Sequence, residues 1–143
     1  VIARLTADHT NSTTTKTDVS DLNLTLQANT VYAFEYIIRC TANANTVGVQ
    51  LALAFDGTIT RLDAELEYWS SATAKASLAV TGATTSPQNF NPTASQGNVA
   101  QTYRLTGLIE VGATGGTLKL QHGSETATLT TLQRGSYVVA VVD

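Results

Sequence analysis

The sequence is poor in charge, cysteine and proline. Asp, Glu, Lys and Arg make up 13% of its 143 residues, about half the roughly 25% of an average globular domain. Its single cysteine excludes an internal disulfide, so nothing argues for secretion into an oxidising compartment. Cys40 falls on the apolar face of a predicted strand, where a thiol behaves as a small hydrophobe. No apolar run approaches the ~20 residues that span a bilayer, and the first residues lack the charged and apolar regions of a signal peptide. With 8 basic and 11 acidic residues the net charge is −3. There is no Lys/Arg run interleaved with aromatics, so nucleic acid is not an expected partner.

Catalytic and metal-binding patterns are equally scarce. His9 and His122 are the only histidines, and neither has a second ligand three or four residues away, so no metal is expected. Asp8 beside His9 would point to the opposite face of any strand. Gly123-Ser124-Glu125 is not the strained serine elbow that nucleophilic catalysis needs. Asp63, Glu65 and Glu67 share one face of one predicted strand, whereas glycosidase carboxylates flank a cleft from different elements. They read as a solvated or inter-subunit face. Gly112, Gly115 and Gly116 form a turn with no helix behind it to hold a phosphate. The expectation is therefore a non-enzyme with no catalytic residue, no cofactor and no metal. Trp69, Tyr68 and Tyr103 are either structural aromatics at strand ends or a platform for stacking sugar. Asn11-Ser12-Thr13 and Asn23-Leu24-Thr25 match glycosylation sequons, a frequent coincidence in a chain rich in Asn and Thr.

What the chain has instead is threonine, about one residue in six, whose β-branch suits a strand and whose hydroxyl tolerates water. Low charge also suits a surface packed against neighbouring protein. The organising stretch is Val31 to Asp56. Tyr32, Phe34, Tyr36, Ile38 and Cys40 alternate in its first half, and Val47, Val49, Leu51, Leu53 and Phe55 in its second. A period of two marks strands with one face on a core. The polar run Thr41 to Thr46 between them predicts two long antiparallel strands joined by a loop.

Before this pair, Val1–Leu5 is a first strand or an arm that pairs with another chain. Thr6–Asp21 reads as an extended connection or edge strand with nothing to anchor a core, and Leu22, Leu24 and Leu26 form a half-buried strand. After it, Asp56-Gly57 is a hairpin turn signal. Thr58–Trp69 fits helical spacing in part (Leu62, Glu65, Leu66, Trp69), but strand alternation through Leu62, Ala64, Leu66 and Tyr68 is preferred. Ser77–Val80 is a short strand. Residues 82–99, with Pro87 and Pro92, form a long irregular loop of the kind that contacts partners. Its Phe90 either pins the loop to its own domain or inserts into a neighbour. The last third alternates again at Tyr103, Leu105, Gly107, Ile109 and Val111, then at Leu118 and Leu120. The final Tyr137–Val142 strand reads as buried on both faces or at an interface.

About nine or ten strands with polar turns predict an all-β, single antiparallel β-sandwich, jelly-roll-like. One domain spans 1–143, with a possible N-terminal arm at 1–21. Candidate partner contacts are Val1, Ile2, Leu5, Phe90 and Trp69.

Two blocks carry a resemblance. Asn11–Leu53 holds a Thr-rich opening, then TDV-x-x-L, then AN-T-x-Y-x-F-E-Y. Tyr103–Val138 holds R-x-x-G at Arg104 and Gly107, G-T-L-x-L from Gly116, Thr117 and Leu118, the pair Ser124-Glu125, and Gly135-Ser136-Tyr137. Together they resemble a β-sandwich domain of tailed-bacteriophage virion structural proteins, with a departure at Val47-Gly48 where that family has Thr-Gly. The resemblance implies a capsid decoration or cement protein on the outer virion surface, made in the host cytoplasm and trimeric. Its expected partners are the major capsid protein or other virion proteins. The alternative it implies is a tail-fibre domain binding a host-surface glycan, with Trp69 or Phe90 stacking on sugar.

Overall fold

The computed structural model describes all residues from Val1 to Asp143. Thirteen strands follow in chain order: β1 (Ile2–Arg4), β2 (His9–Asn11), β3 (Thr17–Asp18), β4 (Leu24–Leu26), β5 (Val31–Ala42), β6 (Val49–Phe55), β7 (Ile59–Trp69), β8 (Lys75–Ala83), β9 (Gln88–Phe90), β10 (Gln101–Val111), β11 (Gly116–Ser124), β12 (Thr130–Leu132) and β13 (Tyr137–Val142). A 3-10 turn occupies Ser20–Leu22. No helix is long and apolar enough to cross a membrane.

The strands form two antiparallel sheets packed as an open, jelly-roll-like sandwich, as the alternation predicts. The larger sheet has eight strands, ordered β1-β13-β5-β10-β7-β8, with β12 beside β5 and β2 beside β12. The smaller has five, ordered β3-β11-β6-β9, with β4 also on β11. The count exceeds the expected nine or ten because several strands are only two or three residues long, too short to leave an alternation signal.

The core comprises 29 buried apolar residues drawn from both sheets. The larger sheet contributes Tyr36, Ile38, Leu66, Tyr103 and Leu105, and the smaller contributes Val49, Leu51, Leu53, Leu118 and Leu120, all 0–1% exposed. Cys40 is among them, and burial pushes its thiol well above the ordinary range, which keeps it inert. Thr58–Trp69 is a strand: Leu62, Ala64 and Leu66 are buried while Arg61, Glu65 and Glu67 are exposed.

Several expectations are corrected. The central stretch is not a hairpin. β5 lies in the larger sheet and β6 in the smaller, so their apolar faces meet across the core. The reason is that both edges of β5 are occupied, one by β10 and the other by β13 and β12. The polar run after β5 therefore crosses between sheets. There Gly48 passes so near Pro92 that a Cβ would lie 1.7 Å from its carbonyl oxygen, which only glycine permits.

Asp56-Gly57 is likewise a crossover. Neither residue has the positive φ of a two-residue hairpin turn. The Asp56 carboxylate instead accepts the Thr117 N–H at 2.6 Å, fastening the corner to β11. β8 runs from Lys75 to Ala83, well beyond Ser77–Val80 at both ends, and the 82–99 loop contains β9. The segment Thr6–Asp21 does anchor the core, through fully buried Val19. In the final strand only Val138 and Ala140 are buried, while Val141 and Val142 are exposed at 55% and 67%.

Candidate binding face

The two outer faces of the sandwich differ in finish. That of the smaller sheet is paved with small and polar residues bonded to each other. Gln121 donates to Asp18 at 2.8 Å, Lys119 lies 3.6 Å from Asp56, and Lys16 donates to Asn89 and Asn91.

The larger sheet presents three rows. Tyr137, Ile37, Arg104, Glu67 and Ser77 stand side by side across β13, β5, β10, β7 and β8. Val139, Glu35, Thr106, Glu65 and Ala79 form the next row, and Val141, Ala33, Leu108 and Asp63 the third. Ala33, Thr106 and Ala79 are short side chains flanked by longer ones, so the face is troughed.

A hollow of about 580 Å³ is walled by Trp69, Lys75, Glu67, Gln96, Thr102 and Arg104. Another of about 630 Å³ lies among Glu35, Arg104, Leu108, Tyr137, Val139 and Val141. Arg104 is the wall they share. Its Nε donates to Glu35 at 3.0 Å, which fixes the guanidinium plane between the hollows and raises its pKa further. Lys75 Nζ stands 4.9 Å above the Trp69 ring and 3.2 Å from Glu67.

Charge on this face is balanced: Arg4, Arg39, Arg61, Lys75 and Arg104 meet Glu35, Asp63, Glu65, Glu67 and Glu110 in equal number. Arg61 holds Asp63 at 2.6 Å, and that hydrogen bond keeps the Asp63 carboxyl below its usual range. Asp63, Glu65 and Glu67 do share one face, as predicted, and two of the three are paired to bases.

The candidate partner contacts separate. Val1 and Ile2 are 66% and 63% exposed, and Trp69 is half-buried at the rim of its hollow. Leu5 and Phe90 are core residues at 4% and 1% exposed. Phe90 pins its loop to its own domain, opposite Leu51 of β6. β1 pairs with this chain's own β13, and the terminal ammonium donates to the Ala140 carbonyl at 2.7 Å. Of the three aromatics considered as a sugar platform, only Trp69 faces outward. Tyr103 is fully buried, and Tyr68 packs on it with ring centroids 5.7 Å apart. The sequon Asn11 is 8% exposed, and its amide donates to the His122 carbonyl.

Two features escape the sequence reading. Tyr137 and Glu35 belong to the face, and their alternation with core residues is the signal that places them outward. The second is a contact between the histidines, whose Nδ1 atoms lie 2.9 Å apart. His122 also bonds Thr130 Oγ1 at 2.8 Å, but both residues are fully buried and no substrate reaches that pair. No group of three or more His, Cys, Asp or Glu is gathered to hold a metal.

No protein-family profile matches the chain, and no curated protein sequence matches it. Among solved structures, it is similar to TmCBM61 in complex with β-1,4-galactotriose, at 7% identity and TM-score 0.37, over 99% of this chain and 92% of that one. It is similar to a Clostridium thermocellum xylanase 10B fragment with CBM22-1 and GH10 modules, complexed with xylohexaose (8% identity, TM-score 0.36, 96% of this chain). It is also similar to the infectious bursal disease virus VP2 subviral particle (11%, TM-score 0.28, 99% of this chain). The chain spans 28% and 39% of the latter two. At these identities and scores the likeness carries no residue of the site; the chain is an all-β sandwich by its own strand pairing.

Proposed function

We propose that this domain is a non-enzymatic binding module that takes a carbohydrate across the outer face of its eight-stranded sheet. One observation carries the reading: the domain's only tryptophan forms a wall of an open hollow whose other walls include Lys75, Glu67, Gln96, Thr102 and Arg104. An aromatic face beside convergent polar groups is how apolar sugar faces and their hydroxyls are held together. Equal numbers of acids and bases on the face favour an uncharged glycan. Lys75 covers one side of the indole, a contact worth about 0.5–1 kcal/mol at exposed sites, which an entering sugar displaces or avoids. Screening against immobilised neutral glycans, followed by calorimetry, tests this. Trp69→Ala should weaken binding tenfold or more with unchanged thermal stability.

A second reading is a virion surface protein, as capsid decoration or tail fibre, assembled as a homotrimer and bound to capsid or other virion proteins. The observation favouring it is the apolar corner of the same face, where Ile2, Leu108 and Val141 are 43–63% exposed. Exposed patches of this kind mark protein interfaces. Light scattering followed by incubation with stripped capsids tests it. A trimer that rebinds and protects capsids from heat supports this reading, and a monomer that ignores them rejects it.

A further inference from the structure

The contact between the two histidines joins the sheets. His9 is on β2 of the larger sheet and His122 on β11 of the smaller. The surrounding bonds fix the protons. Thr130 Oγ1 lies 3.0 Å from the Asn11 carbonyl, which can only accept, so the hydroxyl donates there. It must then accept from His122 Nε2–H at 2.8 Å. That leaves His122 Nδ1 bare, and the proton between the two Nδ1 atoms belongs to His9. The pair is closed by Asn11 Nδ2, which donates to the His122 carbonyl at 2.8 Å.

This arrangement has no place for a proton on His122. His9, half-buried, already fills the gap between the rings with its own Nδ1–H. A proton on His122 Nδ1 would set two N–H groups head to head, on a ring that is fully buried. We propose that the His9–His122 pair is an acid-released latch: protonation of His122 frees β2 from β11 and opens the seam between the sheets at the Asn11–Thr15 turn, while the rest of the sandwich stays folded.

Other charges around the pair do not offset that proton. Asp8 precedes His9, but its carboxylate accepts the Arg134 N–H at 2.8 Å. Lys16 lies against Gly123 with its ammonium on Asn89 and Asn91. Asp18 is engaged by Gln121, and Glu125 beyond β11 accepts the Gly48 N–H. From β6 and β12 the neighbours are Leu51, Thr130, Thr131 and Leu132, which carry no charge. Burial first, and His9 second, hold the His122 pKa down to about 3 in the closed form. The opened ring regains its ordinary 6.5, so linkage raises the open population about 50-fold between pH 6.5 and 4.5.

The test is amide hydrogen exchange on the intact chain at pH 6.5 and 4.5, with protection factors corrected for intrinsic rates. Ring-nitrogen NMR of both histidines and Trp69 emission accompany it. Protection of the β2 amides should fall about 50-fold relative to β5 and β10, with emission unchanged and the closed-form His122 ring neutral. His122→Asn keeps an acceptor facing His9 and cannot charge, so its β2 protection should be flat with pH; should it fail to fold, the wild-type titration decides alone. Three results would overturn the latch: β2 protection that does not change, loss of all strands together with an emission shift, or a His122 that titrates near 6.5 with β2 still protected.

Discussion

The outer face of the smaller sheet and that of the larger are built from the same alternation yet end differently. On the smaller, the outward positions Ala52, Ala54, Thr117, Lys119 and Gln121 are short or already bonded to a neighbour. On the larger, Ile37, Leu108, Val139, Val141 and Trp69 stand outward among charges, and four depressions open there. A surface finished for water needs no more than the first. Apolar side chains left outward on the second lose hydrophobic stabilisation that a partner could recover. The contrast teaches that function is to be sought on one face of one sheet, not in a buried site.

The comparison can be broken or sharpened by substitutions on each side of it. The largest effect belongs to the shared core: Leu66→Ala should cost about 2–5 kcal/mol in denaturant unfolding. Its neighbour Glu65→Ala, on the outer face of the same strand, should stay within about 0.5 kcal/mol. If the two cost the same, the face assignment of β7 is wrong.

Acid comes next. His122 is neutral when folded, with its pKa lowered to about 3 by burial and then by His9. Unfolded, it titrates near 6.5, so the unfolded or opened state binds the extra proton. Its stabilising contribution is complete above pH 6.5 and falls as pH drops toward 3, by up to about 1.4 kcal/mol per unit. Thermal melts of wild type and His122→Asn across that range check it, since the variant should lose this part of the slope.

Gly48→Ala should destabilise by roughly 1–3 kcal/mol, because its methyl would overlap the Pro92 carbonyl and push the 82–99 segment off the crossover. Equal stability of that variant would mean the segment is not held there. The smallest change, Lys75→Ala, uncovers the Trp69 ring. It should leave the melting temperature unchanged and hold or modestly raise glycan affinity. A loss of affinity would make the ammonium itself a ligand contact.

Much of this was legible in the sequence, and what was missed has a common cause. Alternation at Tyr32 to Cys40 and at Leu62 to Leu66 states which side of a strand is buried, and every one of those residues is. Alternation says nothing about which sheet a strand joins. That is why Val31–Asp56 reads as a hairpin although β5 and β6 face one another across the core. Pairing depends on which edges are already occupied, a property of strands as distant as Tyr137–Val142. The candidate face is half legible: Glu65 and Glu67 read as sharing a solvated or inter-subunit face and Trp69 as a structural aromatic or part of a sugar platform, but placing Arg104 beside Glu67 needs the register of β10 on β7. The histidine contact was invisible, because 113 residues separate its partners.

The most direct test of the central claim is a neutral-glycan binding screen run in parallel on wild type, Trp69→Ala and Lys119→Ala. The account predicts a glycan signal that Trp69→Ala abolishes and Lys119→Ala, on the opposite sheet, leaves intact. A signal lost only in Lys119→Ala, or no glycan bound by any of the three, would contradict it.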